Sequence, residues 1–126
     1  MSKESKKALV LLNMGGARNK SELKMFLTNM FNDKNILTFK NETARSMLAS
    51  LIVTLRLNKA WANYEEIGGS SPLHSLTDQL VVKLQESLPE YFVTTAMRYT
   101  SPFSQTAIAR IKDKGIKEIV LLPLYP

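Results

Sequence analysis

Four short clusters in this chain hold residue types suited to binding, and three of them follow apolar runs. Asn13-Met14-Gly15-Gly16 follows Ala8-Leu9-Val10-Leu11-Leu12, Arg98-Tyr99 follows Phe92-Val93-Thr94-Thr95-Ala96-Met97, and Pro123-Leu124-Tyr125-Pro126 follows Ile119-Val120-Leu121-Leu122. The fourth, Gly68-Gly69-Ser70-Ser71-Pro72, opens a leucine-rich stretch. Arg98 offers a fork of donors for a carboxylate. Tyr99 and Tyr125 offer an apolar face with a polar tip, and Met14 is a soft surface for a flat ring. Glycines let backbone approach a ligand closely. A helix opening after Ser71-Pro72 would present unpaired N–H groups and partial positive charge to an anion. Each residue also has a plainer use: a structural arginine paired with an acid, a core-filling methionine, a capped turn, an exposed tyrosine.

Other chemistries lack their residues. There is no cysteine, which removes disulfides, thiolate metal sites and cysteine-ligated iron–sulfur clusters. His74 is the only histidine, and it stands beside Leu73 and Leu76 in a helical pattern. That setting suits a structural or surface group better than a catalyst. No paired-histidine or His/Glu metal spacing and no Ser-His-Asp arrangement occurs. Gly15-Gly16-Ala17-Arg18-Asn19-Lys20 lacks the full G-x-G-x-x-G fingerprint of a dinucleotide site. The residues describe binding features without a complete catalytic apparatus.

The elements that must position these clusters follow from periodicity. Short apolar runs predict strands over about 7–13, 91–97 and 118–122. Asn19, three residues before Glu22, predicts a helix start, and Leu23, Phe26, Leu27, Met30 and Phe31 supply its apolar stripe. From about Glu42 to Glu66 the chain is helical again, as one long helix or two shorter ones split near Arg56-Leu57-Asn58-Lys59. Ala44, Leu48, Leu51, Ile52 and Leu55 mark one face, while Met47, Val53 and Leu57 make the other faces apolar too. Such a helix is either deeply buried or covers something apolar.

Ser71 and Pro72 predict the next helix start. Leu73, Leu76, Leu80, Leu84 and Leu88 form its stripe, helped by Val81, and Pro89 ends it. Ser101-Pro102 predicts another start, with Phe103, Ala107, Ile108 and Ile111 buried and Gly115 as the stop.

Strands alternating with helices give an α/β class with a parallel sheet and right-handed crossovers. The strand ends then share the edge where open α/β sheets bind ligands. With the glycine loop they would form part of a pocket for a large flat ligand.

The bulk numbers fit one domain or a piece of one. The chain has 126 residues, 44% of them hydrophobic, and a formal net charge of +6. That charge favours an anionic partner. The basic residues are scattered rather than blocked together, so nucleic acid is not expected. No apolar stretch reaches transmembrane length, and the charged start is not a signal peptide. The narrow sheet and the bare third strand suggest the front part of a longer protein.

Four motifs in register resemble the ferrochelatase family: Leu12-Asn13-Met14-Gly15-Gly16; Tyr64 with Ile67-Gly68-Gly69-Ser70-Ser71-Pro72-Leu73; Met97-Arg98-Tyr99; and Leu122-Pro123-Leu124-Tyr125-Pro126. Order and spacing agree from about Lys7 onward. One departure is Ala17, where many relatives carry proline.

The resemblance implies a chelatase fold of two similar parallel α/β halves around a cleft. Residues 1–126 would be the N-terminal one, with the second half absent. It implies insertion of Fe²⁺, as substrate, into protoporphyrin IX at the last step of haem synthesis. By the same resemblance Met14, Arg56, Ser71, Arg98, Tyr99 and Tyr125 border the porphyrin, and Met47 to Leu57 form an apolar lip that can face a membrane. A cytoplasmic location with peripheral membrane contact is expected. The family's catalytic histidine and metal-side glutamate are expected beyond residue 126, and His74 does not match that histidine. The chain alone is therefore expected to bind no cofactor or metal and to lack chelatase activity.

The alternatives left open are a related chelatase for another metal or tetrapyrrole, and a non-catalytic tetrapyrrole-binding module. A nucleotide-binding domain is disfavoured by the missing fingerprint. Self-association through an uncovered half-fold is a further expectation.

Overall fold

A strand that is apolar on both faces must be covered on both faces, and Lys7–Asn13 (β1) is such a strand. In the computed structural model, which describes residues 7–125, β1 is the middle strand of a three-stranded sheet. Its parallel neighbours are β2 (Tyr91–Met97) and β3 (Glu118–Pro123), in the order β2-β1-β3. The strand limits expected from the apolar runs agree to within one residue. Among the described residues there are four helices: α1 (Lys20–Phe31), α2 (Glu42–Glu66), α3 (Leu73–Ser87) and α4 (Ser104–Asp113). The fold class is α/β, as expected.

The chain divides into two compact units, Gly16–Pro72 and the remainder. In the sheet unit, alternation along β1 sends side chains to two different helices. Leu9 and Leu11 join Val93 under Val81 and Leu84 of α3 and Leu88 just after it. Ala8 and Val10 join Ala96 under Ala107 and Ile111 of α4. Leu11 is fully buried, a burial worth about 1.5–3 kcal/mol for a side chain of that size. The ion pair of Lys7 with Glu118, 3.5 Å apart across β1 and β3, is exposed and adds little.

The other unit is a helical hairpin. Asn19 caps α1 by accepting from the Glu22 N–H at 2.8 Å, and the Glu22 carboxylate accepts from the Arg18 N–H at 3.0 Å. The expected stripe of α1 packs as read: Leu23 and Leu27, flanked by Phe26, Met30 and Phe31, meet Val53, Leu57, Ala60, Trp61 and Tyr64.

α2 is unbroken over 25 residues. Its packed face is Ala49, Val53, Leu57, Ala60, Trp61 and Tyr64, not the Ala44-Leu48-Leu51-Ile52-Leu55 stripe, of which Leu51 and Leu55 stay exposed. The aromatic rings decide this choice, because α1 offers Phe26 and Phe31 and large rings bury the most area.

Two other expectations are corrected in the sheet unit. α3 packs through His74, Thr77, Val81 and Leu84, with Leu88 just past its end, leaving Leu76 and Leu80 exposed. α4 begins at Ser104, two residues after Pro102, with Phe103 as its cap residue. The Pro102 carbonyl is already used, accepting from the Met97 N–H at 2.7 Å, and Met97 and Phe103 form a parallel bridge. Ser101-Pro102 thus extends the edge of β2 before the helix can start. Ile108 of the expected α4 stripe is also exposed.

Candidate functional site

Parallel strands release their chains at a common edge, and here the register makes that edge level. Asn13 stands opposite Met97, and Leu12 stands opposite Pro123. The ladder runs one step past the strands. The Arg98 N–H donates to the Asn13 carbonyl and the Tyr99 N–H to the Met14 carbonyl, each at 3.0 Å. On the other side the Leu124 N–H donates to the Leu12 carbonyl at 2.8 Å. The Asn13 side chain turns back to accept from the Met14 N–H at 2.8 Å, fixing the first residue of the turn.

Four of the six expected site residues therefore leave one sheet edge: Met14, Arg98, Tyr99 and Tyr125. Met14 and Tyr125 are exposed, at 38% and 47%, and Arg98 is exposed as well. Tyr99 is not: it is 5% exposed, and the Arg98 guanidinium carbon lies 5.7 Å from its ring centroid. The edge thus presents a cation held over an aromatic ring, beside a thioether and a phenol.

The remaining two residues, Arg56 and Ser71, belong to the helical unit. Arg56 is exposed on α2 with its guanidinium carbon 5.9 Å from the Phe31 ring centroid. The Ser71 N–H donates to the Ala17 carbonyl at 2.7 Å, closing that unit on itself.

The glycines before Ser71 have a local task. The Gly68 N–H donates to the Glu65 carbonyl at 3.1 Å and the Gly69 N–H to the Tyr64 carbonyl at 2.8 Å. With Gly68 at φ +96°, that pair of bonds is a Schellman cap ending α2. On α2 itself Met47, Leu51 and Leu55 make an exposed apolar row at i, i+4 and i+8, 55–73% accessible. No helix among the described residues is long and apolar enough to cross a membrane.

Two residues behind the sheet edge carried no signal in the sequence beyond their types. Thr100 is fully buried, and its Oγ1 lies 3.4 Å from Nε2 of His74, itself 6% exposed. His74 is thus buried, where its setting among leucines left a structural or a surface group open. Among the described residues no group of three or more His, Cys, Asp or Glu side chains could hold a metal ion.

Comparison with known proteins adds a consistent set of matches. The family model described as ferrochelatase matches residues 6–126. The ferrochelatase of a Nitratiruptor species is 51% identical over 120 residues, which is 95% of this chain and 39% of that protein. The ferrochelatase of Sulfurimonas denitrificans is 50% identical over 122 residues, 96% of this chain and 39% of that protein. The ferrochelatase of Helicobacter pylori (strain J99) is 42% identical over 125 residues, 99% of this chain and 37% of that protein. The chain spans about two fifths of the length of these curated relatives.

Proposed function

This chain belongs to the ferrochelatase family, and from that membership we propose that it is the N-terminal part of an enzyme inserting Fe²⁺ into protoporphyrin IX, the last step of haem synthesis. The reaction is of the lyase class that forms nitrogen–metal bonds. Two pyrrole N–H protons leave as the metal enters, so the complete protein needs a group to accept protons and a site that bends the ring. The observation that carries the proposal is the family match over residues 6–126.

The sheet unit contributes Met14 and Tyr125 as contacts for the macrocycle, and Arg98, stiffened by Tyr99 beneath it, as the cation for a propionate. Arg56 and Ser71, in the helical unit, are proposed as porphyrin-bordering residues from the family resemblance alone. That unit also contributes Met47, Leu51 and Leu55, the exposed part of the segment from Met47 to Leu57, as an apolar lip with peripheral membrane contact, in a cytoplasmic enzyme. The 126-residue chain by itself binds porphyrin, holds no cofactor and does not insert iron. Its uncovered third strand makes it self-associate.

A Soret titration of protoporphyrin IX against the chain tests this directly, with an iron-insertion assay on the same samples. The expected result is a saturable Soret shift, weakened about tenfold or more by Arg98→Ala, a loss expected for one charge-assisted bond, with no insertion by the chain alone. Absence of any Soret shift, with the chain folded, overturns the porphyrin assignment. Insertion by the chain alone overturns its proposed inactivity.

A further inference from the structure

Directly behind the exposed edge lies a buried polar contact. Thr100 follows Arg98-Tyr99 and is 0% exposed. Its Oγ1 meets Nε2 of His74, on the first turn of α3, at 3.4 Å. The same Oγ1 occupies the space that a Cβ at Gly15 would need, and Gly15 has φ +100°. One hydroxyl is therefore the meeting point of three elements: the turn after β1, the segment after β2 and the start of α3. All three lie in the sheet unit.

What this point controls follows from the backbone. Past Met97 the chain keeps two rungs to β1, the Arg98 and Tyr99 N–H groups on the Asn13 and Met14 carbonyls. The next residue is Thr100, where the ladder ends and side-chain packing takes over. A neutral imidazole offers at Nε2 either one lone pair or one N–H, and a threonine hydroxyl can meet either. A leucine at position 74 would fill the space and leave the buried hydroxyl without that partner. The chain has leucines at 73, 76 and 80, yet on the packed face of α3 it puts its only histidine.

We infer that His74 is a positioning residue: through Thr100 it holds the Arg98-Tyr99 segment against the Met14-Gly15 turn and so sets the geometry of the exposed sheet edge. Its consequence for tetrapyrrole affinity rests on the porphyrin reading; its consequence for the edge does not.

The two are separated by measuring both in the full polypeptide that carries residues 1–126. Four substitutions are compared: Thr100→Val and His74→Leu, which remove the polar contact at similar volume, and Thr100→Ser and His74→Gln, which keep a polar atom there. Amide hydrogen exchange at Arg98 and Tyr99 is read against Val10 and Val93, deep in the sheet. Expected is about tenfold faster exchange at Arg98 and Tyr99 for the first two, with Val10 and Val93 within about twofold, and recovery for the second two. Protoporphyrin IX affinity, read from the Soret band, falls about tenfold in the same two variants.

Unchanged exchange at Arg98 and Tyr99 overturns the inference, and so does an equal rise throughout the sheet, which marks a merely structural contact. In the unsubstituted protein the imidazole ¹⁵N shifts must report a hydrogen-bonded Nε2; an Nε2 without a hydrogen bond overturns it with no substitution at all. Absence of a Soret shift in the unsubstituted protein would remove the porphyrin reading and leave the exchange result to decide the positioning role.

Discussion

The two outer strands of the sheet, β2 and β3, start from the same material and end differently. Both are short apolar runs, both pair in parallel with β1, and among the described residues both have one edge without a neighbouring strand. The outer edge of β2 is closed by side chains and a loop. The Gln85 amide oxygen accepts from the Val93 N–H at 3.0 Å while its amide nitrogen donates to the Tyr91 carbonyl at 2.6 Å. Farther along, Met97 donates to Pro102. On β3 the Leu124 N–H points at β1, so by alternation the backbone groups of Ile119 and Leu121 point outward. Among the described residues nothing pairs with them there. Side chains follow suit: Val93, Ala96 and Met97 are 3–6% exposed, Ile119 to Leu122 are 42–59% exposed. Burial of a strand's side chains is thus decided by the helices over its faces, α3 and α4 for β2, while Gln85 closes the backbone edge of β2. An open, flat, apolar edge is a template for another strand.

The largest effect that sharpens this contrast comes from one substitution made in two strands. Leu11→Ala empties a fully buried position in β1 and is expected to cost about 2–5 kcal/mol. Leu121→Ala removes the same atoms from β3 at 59% exposure and is expected to cost under about 1 kcal/mol. Urea unfolding of both variants reads the difference; equal losses would mean that β3 is covered in solution.

A smaller effect is expected from Gln85→Leu, which keeps the side-chain volume on α3 and removes the closure of β2. The Val93 N–H and the Tyr91 carbonyl lose their partners, for an expected loss of about 1–3 kcal/mol. Faster hydrogen exchange at Val93, with Val10 unaffected, would locate the loss at that edge. If Gln85→Leu is neutral, β2 is closed by something other than this side chain, and the difference between the two backbone edges loses its cause.

How much of this was legible in the sequence depends on the range of the interactions. The strands could be read because an apolar run ending in polar residues or glycine has few other uses. Asn19 with Glu22 and Gly115 could be read because caps act within a few residues. That Met14, Arg98 and Tyr125 share an edge followed from the parallel order alone.

On α2 the leucine-rich stripe points to the wrong face, and on α3 it holds for Val81, Leu84 and Leu88 but not for Leu76 and Leu80, because each helix carries more than one apolar stripe. The choice between stripes is made by the partner: Phe26 and Phe31 for α2, the alternating floor of β1 and β2 for α3. Gly68 and Gly69 were open to two readings, close approach to a ligand or a plain capped turn, and their backbone N–H groups do end α2. The Thr100–His74 contact, 26 residues apart in the chain, left no local trace.

The smallest change in stability, and the sharpest test of the open edge, belongs to Leu121→Lys. The side chain is already 59% exposed, so folding stability should move by less than about 0.5 kcal/mol. Association should respond strongly. Two β3 edges brought together antiparallel about Val120 would let Ile119 of one chain exchange both backbone bonds with Leu121 of the other. Pro123, whose backbone also faces outward, has no N–H to extend that ladder. The pair would be short, and held as much by Ile119 and Leu121 side chains as by backbone. A lysine at position 121 puts two like charges into that pair and keeps the chain monomeric, as lysines do on natural strand edges. Sedimentation of the 126-residue chain against the variant separates the outcomes. A concentration-dependent dimer abolished by Leu121→Lys would establish the β3 edge as the contact. A dimer that persists unchanged would move the contact elsewhere, and the contrast between β2 and β3 would then describe burial without consequence for association.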